Sequence, residues 1–564
     1  MRAIVTDGGS VMPQAAGCIS GAAERDVIAE PSVPRSFGIR RPLAVQRSNR
    51  RFLSPLDIAV LTVVMLIGLS RLPQPFTGDQ ALSAMMAMKL AHGEVMYADL
   101  WDLKQPGIFL FYYVGGRLFG FNEIGIHAFE LLYMLVFSVV LLLALRRDFA
   151  NRTVASFTPL LTVGLYYGNA AALHQTQTEA VVGFPLFLAL WLAGASIWST
   201  RRRASLLFLS GLVGGVVLLF KLAFFPILAG FWLTALAGTL WYSEEGGAKT
   251  LMSYCGPILV GVLVPLILMA AYFVRHDTWD LVIRTVFEHP ARAIAVLAPR
   301  VSVFENGLAW FVSHFSPLMA LAVFAFLGGL RARARFLKLN LLLWVVLGFG
   351  VILVQLLSWW EYHYLLLLVP LGILAALGLD ALWSRIAEHV PQRRLRKASI
   401  TVCASLAILF SPVILSFSFY GISLARHDFA LSRERRLVFM GSQHLEYRQA
   451  LEEVTILPER RTRKDSRDLY VIGNPLYYYV SGREPTVPLM ATWFFPLREL
   501  MTEMWGELER ERPRYVFVQS GALGRIQDAT TVDLSADLWR GSVFIDDNYR
   551  LLQTSEAGAW HVLR

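Results

Sequence analysis

Residues 131–145 read LLYMLVFSVVLLLAL, and none of them carries a charge. A helix needs roughly 20 apolar residues to cross the hydrocarbon layer of a bilayer. With the flank from Ile124 this run reaches that length, and residues 341–357 repeat the pattern. Working outward gives spans near 56–69, 124–145, 154–170, 180–198, 205–220, 223–240, 251–273, 308–330, 337–357, 364–382 and 398–419. The fold class is an α-helical polytopic membrane protein of about eleven spans. Composition agrees: of 564 residues, 55% are hydrophobic and 17% charged, against about 25% charged in soluble domains.

The formal net charge of +10 would suggest nucleic acid in a soluble chain. Here the basic residues cluster between apolar runs, which is the signature of membrane topology. Residues 106–119 form one further run, only about 14 residues long and interrupted by Gly107, Gly115, Gly116 and Arg117. That length suits a re-entrant or interfacial helix. If it does not cross, the clusters at 40–51, 146–152, 201–203, 331–335 and 393–397 all fall on one face. Short basic loops mark the cytoplasmic side, so the N-terminus is expected there. Residues 275–305 fall on the outer side with Arg275, Arg284, Arg292 and Arg300. Asp277, Asp280, Glu288 and Glu305 balance them, and the segment reads as an anion-facing loop.

Three parts follow. Residues 1–52 read as a flexible basic cytoplasmic tail with no signal-peptide core. Residues 53–422 form the transmembrane domain. Residues 423–564 form an extracytoplasmic α/β domain, with β-like runs at 469–472 and 515–518 and a helical stretch at 497–510. Cys18, Cys255 and Cys403 lie far apart and imply neither a disulfide framework nor a metal set.

The first outer loop, 70–123, holds the informative polar residues. Asp79 follows a Thr-Gly turn and opens an amphipathic helix over 79–91. It reads either as a helix N-cap or as a carboxylate at the membrane interface that takes a proton from a hydroxyl. Asp99, Asp102 and Lys104 precede the re-entrant run, as mutual ion pairs or as substrate contacts. Glu179 follows the polar run 174–178, Lys221 closes a span, and residues 359–364 (WWEYHY) open another with Glu361 and His363. Ionisable residues at membrane depth are costly and by default functional; at span ends, snorkelling and interface anchoring compete. His363 has no second ligand at helical spacing that would make it a metal site.

These residues in this order resemble the GT-C superfamily of membrane glycosyltransferases. The narrower likeness is to its bacterial branch of protein O-mannosyltransferase-like proteins and lipid A aminoarabinose transferases. The matching segments are Asp79-Gln80, 93–99 (GEVMYAD), 104–106 (KQP) and Phe119-Gly120, followed by Glu179, Lys221 and 361–364. Gln80 departs from the pattern, which commonly has a second acid there. The resemblance covers residues 55–385.

What it implies is transfer of a sugar from a polyprenyl-phosphate donor, with inversion, to an extracytoplasmic lipid, glycan or protein acceptor in a bacterial inner membrane. By the same resemblance Asp79 is the catalytic base and Lys221 faces the donor phosphate; Arg275 or Arg284 is a further candidate there, without motif support. Lys104, Asp99, Asp102, Glu179, Glu361 and His363 shape the substrate pocket, and the lipid lies between the re-entrant run and its neighbours. No cofactor is implied, and a divalent metal has no support in the spacing. The rival reading is a transporter or flippase. Against it stand the long acidic first loop, the outer α/β domain and the lack of an internal repeat. A third reading, a membrane anchor for the outer domain, needs far fewer spans.

Overall fold

The computed structural model describes residues 53–199, 201–242, 247–298, 300–326, 332–355, 359–389, 444–458, 467–490 and 497–564. The expected N-terminal tail and the expected span at 398–419 lie outside these residues. So do Arg331 of the basic cluster at 331–335 and all of that at 393–397.

Among the described residues, eight helices are long and apolar enough to cross a membrane, the first at Glu123–Leu145 and the last at Glu361–Ala387. Each matches a run expected from the sequence. Two further elements cover expected spans. Helix α1, Pro55–Leu69, is short but has the expected bounds. The expected span at 154–170 is broken into Arg152–Ala155, a π-turn at Leu160–Gly164 and Leu165–Asn169.

Polar contacts fix which end of the bundle each element occupies. Asp57, in the first turn of α1, binds Arg146 at 2.6 Å just past the end of α4 (Glu123–Leu145). Ser156 donates to the same carboxylate at 2.7 Å. Asp380 accepts from the Ala150 and Asn151 N–H groups at 2.7 and 2.9 Å. These groups share one end. At the other, Arg71 donates to the Tyr167 and Gly168 carbonyls at 2.7 and 2.8 Å, so the broken element runs the full length.

The same bonds settle the ambiguous run. It forms α3, Pro106–Phe119, started by Pro106 and ended at Gly120, whose φ of 102° suits glycine. At 1.5 Å per residue it is ~21 Å long, short of a ~30 Å hydrocarbon layer. His127, near the start of α4, lies 3.1 Å from the Leu72 carbonyl just past α1. Residues before and after α3 are therefore at the same end, and α3 does not cross.

Helix α2, Gly78–Ala91, corrects one expectation. It is not amphipathic at a surface: Gln80 through Ala87 are all buried, and so is Lys89. One cover is the C-terminal part. That part carries a four-stranded sheet in the order β1-β2-β4-β3, with β1 (Leu469–Ile472) parallel to β2 (Tyr515–Gln519). The hairpin β3 (Tyr549–Thr554) and β4 (Gly558–Leu563) completes it antiparallel. The α/β character matches the sequence, and the helix expected at 497–510 is Arg498–Glu511.

This part docks on the first loop. Phe76 packs on Tyr479 with ring centroids 5.2 Å apart. Lys89 binds Glu94 at 2.6 Å and Glu484 at 3.0 Å, although its side chain is only 6% exposed. The Trp101 N–H donates to the Pro488 carbonyl at 3.1 Å. Gly78 has no room for a side chain, because a Cβ would collide with the Asn474 amide.

Candidate active site

Helix α2 begins after Thr77, whose N–H donates to the Gln80 side-chain oxygen at 2.7 Å. The capping position is thus Thr77 and the capping partner Gln80. Asp79 is one residue inside the helix and its carboxylate is left for other partners. One oxygen accepts from Lys104 Nζ at 3.1 Å, the other from the Tyr362 hydroxyl at 3.3 Å. The positive end of the α2 dipole favours a carboxylate here.

Lys104 also contacts Asp102 at 3.3 Å. Burial works against its charge, but Asp102 and Asp79 outweigh that and hold its pKa above the usual lysine value. The backbone at this point is fixed by Tyr97, whose hydroxyl donates to the Lys104 carbonyl at 2.8 Å. Tyr97 has φ 69°, left-handed for a bulky residue, and its ring stacks on Phe273. Burial, then the Asp102 charge, raise the Tyr97 phenol well above its ordinary pKa, so it stays a hydrogen-bond donor. Asp99 does not join this cluster. Its carboxylate accepts the Val95 N–H at 2.7 Å and closes the turn before Lys104.

A second charged group lies beside the first. Lys221, in extended backbone at the end of the helix Arg203–Phe220, binds Glu179 at 2.9 Å and the Gln355 amide oxygen at 2.5 Å. Glu179 is buried, and His363 Nε2 lies 3.7 Å from the same carboxylate oxygen. The two clusters meet at neighbouring residues, Tyr362 on Asp79 and His363 on Glu179, with their rings 4.4 Å apart. Glu361 turns elsewhere. It lies 3.3 Å from His174 Nε2, and the His174 ring stacks on Trp310 at 4.3 Å. Burial lowers the His174 pKa against the opposing pull of Glu361.

Of the catalytic and pocket residues singled out from the sequence, Asp79, Asp102, Lys104, Glu179, Lys221 and His363 therefore come together, while Arg284 lies 3.6 Å from Glu503. Asp99 and Glu361 have separate partners. Among the described residues, no three His, Cys, Asp or Glu side chains converge as a metal-binding group. Sequence reading missed Tyr362 and Gln355, whose types are common and whose partners are distant. It also missed Glu130, an acid inside the expected span 124–145 and by default functional.

No protein-family model matches the chain, and no curated protein matches it by sequence. Solved structures do. ArnT from Cupriavidus metallidurans bound to undecaprenyl phosphate superposes with a TM-score of 0.53 at 15% identity, covering 90% of this chain and 97% of that one. The apo form of that protein gives 0.51 at 14% identity, with the same coverage. The chain shares the fold of ArnT. Identity this low speaks to the fold alone. A looser likeness, to the archaeal oligosaccharyltransferase AglB from Archaeoglobus fulgidus, has a TM-score of 0.45 at 13% identity and covers 90% of this chain and 74% of that one.

Within this fold an apolar groove of about 410 Å³ lies against α3. Leu110, Val114, Tyr133, Phe184, Val213 and Leu219 are among its walls. Its size falls in the range of small-molecule sites. Gly107 and Phe220 also line it, so it reaches the start of α3 and the residue before Lys221. The Leu222 N–H donates to the Gln105 side chain at 2.9 Å, which ties these two corners together. A side chain at Gly107 would strike the Phe220 backbone nitrogen at 2.6 Å, so glycine permits the close approach.

Proposed function

We propose that the protein is a membrane glycosyltransferase that takes a sugar from a polyprenyl-phosphate donor and transfers it, with inversion, to a hydroxyl or amine acceptor. The observation that carries this is the placement of the apolar groove. It leads to Lys221, and Asp79 stands at the same end of the bundle, joined to that region through Tyr362 and His363.

Each part has a task. The groove takes the isoprenoid tail, since its walls are apolar and pack against hydrocarbon without unsatisfied polar groups. The Lys221 ammonium faces the phosphate and stabilises the charge that grows as the sugar departs. The acceptor oxygen or nitrogen attacks the anomeric carbon from the face opposite the phosphate. The bond from that carbon to the phosphate oxygen breaks, and its electron pair leaves with the lipid phosphate. Asp79 takes the acceptor proton. Lys104 and Tyr362 hold the Asp79 carboxylate in place. Asp102 and His363 shape the sugar pocket, with Asp99 and Glu361 at its margin. Glu179 orients Lys221 from its buried position.

The finer reading is a bacterial inner-membrane enzyme of the protein O-mannosyltransferase-like or aminoarabinose-transferase-like branch, with this site on the outer face. The support is the motif order from Asp79 to Gly120 and the ArnT-like fold.

The test uses full-length protein in lipid nanodiscs with a panel of undecaprenyl-phosphate-linked hexoses and pentoses. A glycosyltransferase releases undecaprenyl phosphate and glycosylates acceptor. A flippase leaves every donor intact, and that result would overturn the proposal.

A further inference from the structure

Thr176 is held in a backbone conformation that its side chain disfavours. Its φ is 53°, in the left-handed region, and it is β-branched and 1% exposed. Such a residue persists only where its surroundings over-determine it, and such residues gather at functional sites.

The surroundings are explicit. The Thr176 N–H donates to Glu130 Oε1 at 2.9 Å, and the Tyr166 hydroxyl donates to the same oxygen at 2.5 Å. Glu130 is 0% exposed. The Thr176 hydroxyl lies 2.6 Å from the Tyr112 hydroxyl on α3 and accepts from Gln80 Nε2 at 3.3 Å. Gln80 Nε2 also donates to the Ala172 and Gln175 carbonyls, at 2.9 and 2.6 Å.

Two neighbours give this hub a consequence. Gln80 follows Asp79 in α2. Glu179 lies three residues beyond Thr176, at the start of the helix that leads away, and carries Lys221. The single residue Thr176 thus joins the element bearing the carboxylate to the element bearing the phosphate-facing pair.

We propose that Thr176, gripped by the buried Glu130, is a positioning residue that sets the separation of Asp79 from the Lys221–Glu179 pair. It touches no reacting atom. This inference rests on the glycosyl-transfer reading. It goes beyond it by locating the device that registers the base against the donor. A shift of about 1 Å between reacting groups can cost on the order of 10²-fold in rate, so looseness at Thr176 lowers kcat and leaves donor binding alone.

The test compares Thr176→Gly, Thr176→Ser and the unaltered protein, full length in nanodiscs. Measured are Tm, Kd for undecaprenyl phosphate, and kcat and KM with whichever undecaprenyl-phosphate sugar the unaltered protein turns over. Glycine adopts positive φ freely, so Thr176→Gly is expected to keep or raise Tm. It is expected to keep Kd and KM within about twofold and to lose tenfold or more in kcat. Thr176→Ser retains the hydroxyl and is expected within about threefold of the unaltered kcat. If Thr176→Gly keeps full kcat, or if its kcat falls only in step with Tm, the positioning role is overturned while the transferase reading stands. If the unaltered protein turns over no donor, the transferase reading fails and this inference fails with it.

Discussion

Tyr362, at the head of the last described span, donates its hydroxyl to Asp79 at 3.3 Å across 283 residues of chain. The bond joins the loop that follows α1 to the far end of the membrane domain in sequence. Lys104 holds the other oxygen of the same carboxylate at 3.1 Å. Asp79 is thus oriented from two sides by groups that have no sequence relation to each other.

The first prediction concerns that carboxylate. Asp79→Asn keeps the shape and can still meet Tyr362, but it cannot take a proton. General-base catalysis contributes typically 10²–10⁴-fold, so transfer is expected to fall by at least about 10²-fold. Expression and Tm are expected to change little. Full residual turnover in the nanodisc assay would remove Asp79 from the mechanism.

Lys221 is expected to act through its charge. Lys221→Ala also leaves the buried Glu179 carboxylate without its ammonium, a costly state, whereas Lys221→Arg keeps the charge. Titration with undecaprenyl phosphate is expected to show at least tenfold weaker binding for the alanine variant and a smaller loss for arginine. Equal losses would mean that the residue packs and does not read phosphate.

Gln80 gives a counter-intuitive case. The pattern that the sequence resembles commonly has an acid there, yet Gln80→Glu removes the amide that donates to the Ala172 and Gln175 carbonyls. A carboxylate would face those carbonyls with no hydrogen to offer, a penalty of about 1–3 kcal/mol for a buried group. A lower Tm and lower turnover are expected. Raised activity in the variant would show that the amide is dispensable.

The groove should discriminate by lipid. Val213→Trp places an indole among its walls. KM is expected to rise several-fold for a full-length undecaprenyl donor and much less for one with a truncated tail. Identical shifts for both donors would place the lipid elsewhere.

The clamp between α2 and the C-terminal part predicts a pH dependence. Burial tends to raise the Glu484 pKa, but Lys89 and Arg467 outweigh it and hold it below the ordinary 4.5. A lowered carboxyl value stabilises the fold above the unfolded value, and the contribution fades as pH falls through the folded value. Glu484→Gln is therefore expected to lower Tm at pH 6, with the gap to the unaltered protein closing below about pH 4.5. A gap independent of pH would show that the ion pair contributes nothing.

Much of the architecture was legible because lipid imposes a simple rule. Runs such as 131–145 can only be spans, and the basic clusters at 146–152 and 201–203 fixed α3 as non-crossing before any contact was known. The structure agrees through the His127–Leu72 contact. Helix α2 was misread as amphipathic because its cover, residues of the C-terminal part such as Tyr479 and Glu484, lies nearly 400 positions away in sequence. The Asp79 environment was legible in part. Lys104 was in view nearby, while Tyr362 sat in an aromatic cluster that reads equally well as an interface belt.

By itself the sequence determined the solvent of each segment and the inventory of charges at the span ends. Hydrophobic run length and charge placement are local properties, and a bilayer reads them locally. Only the tertiary structure decided which charges meet: that Asp79 faces Lys104 and Tyr362, that Glu179 carries Lys221, and that Asp99 serves a turn. Those pairings depend on helices crossing from distant parts of the chain, and a buried charge is stable only beside the particular partner that the packing delivers.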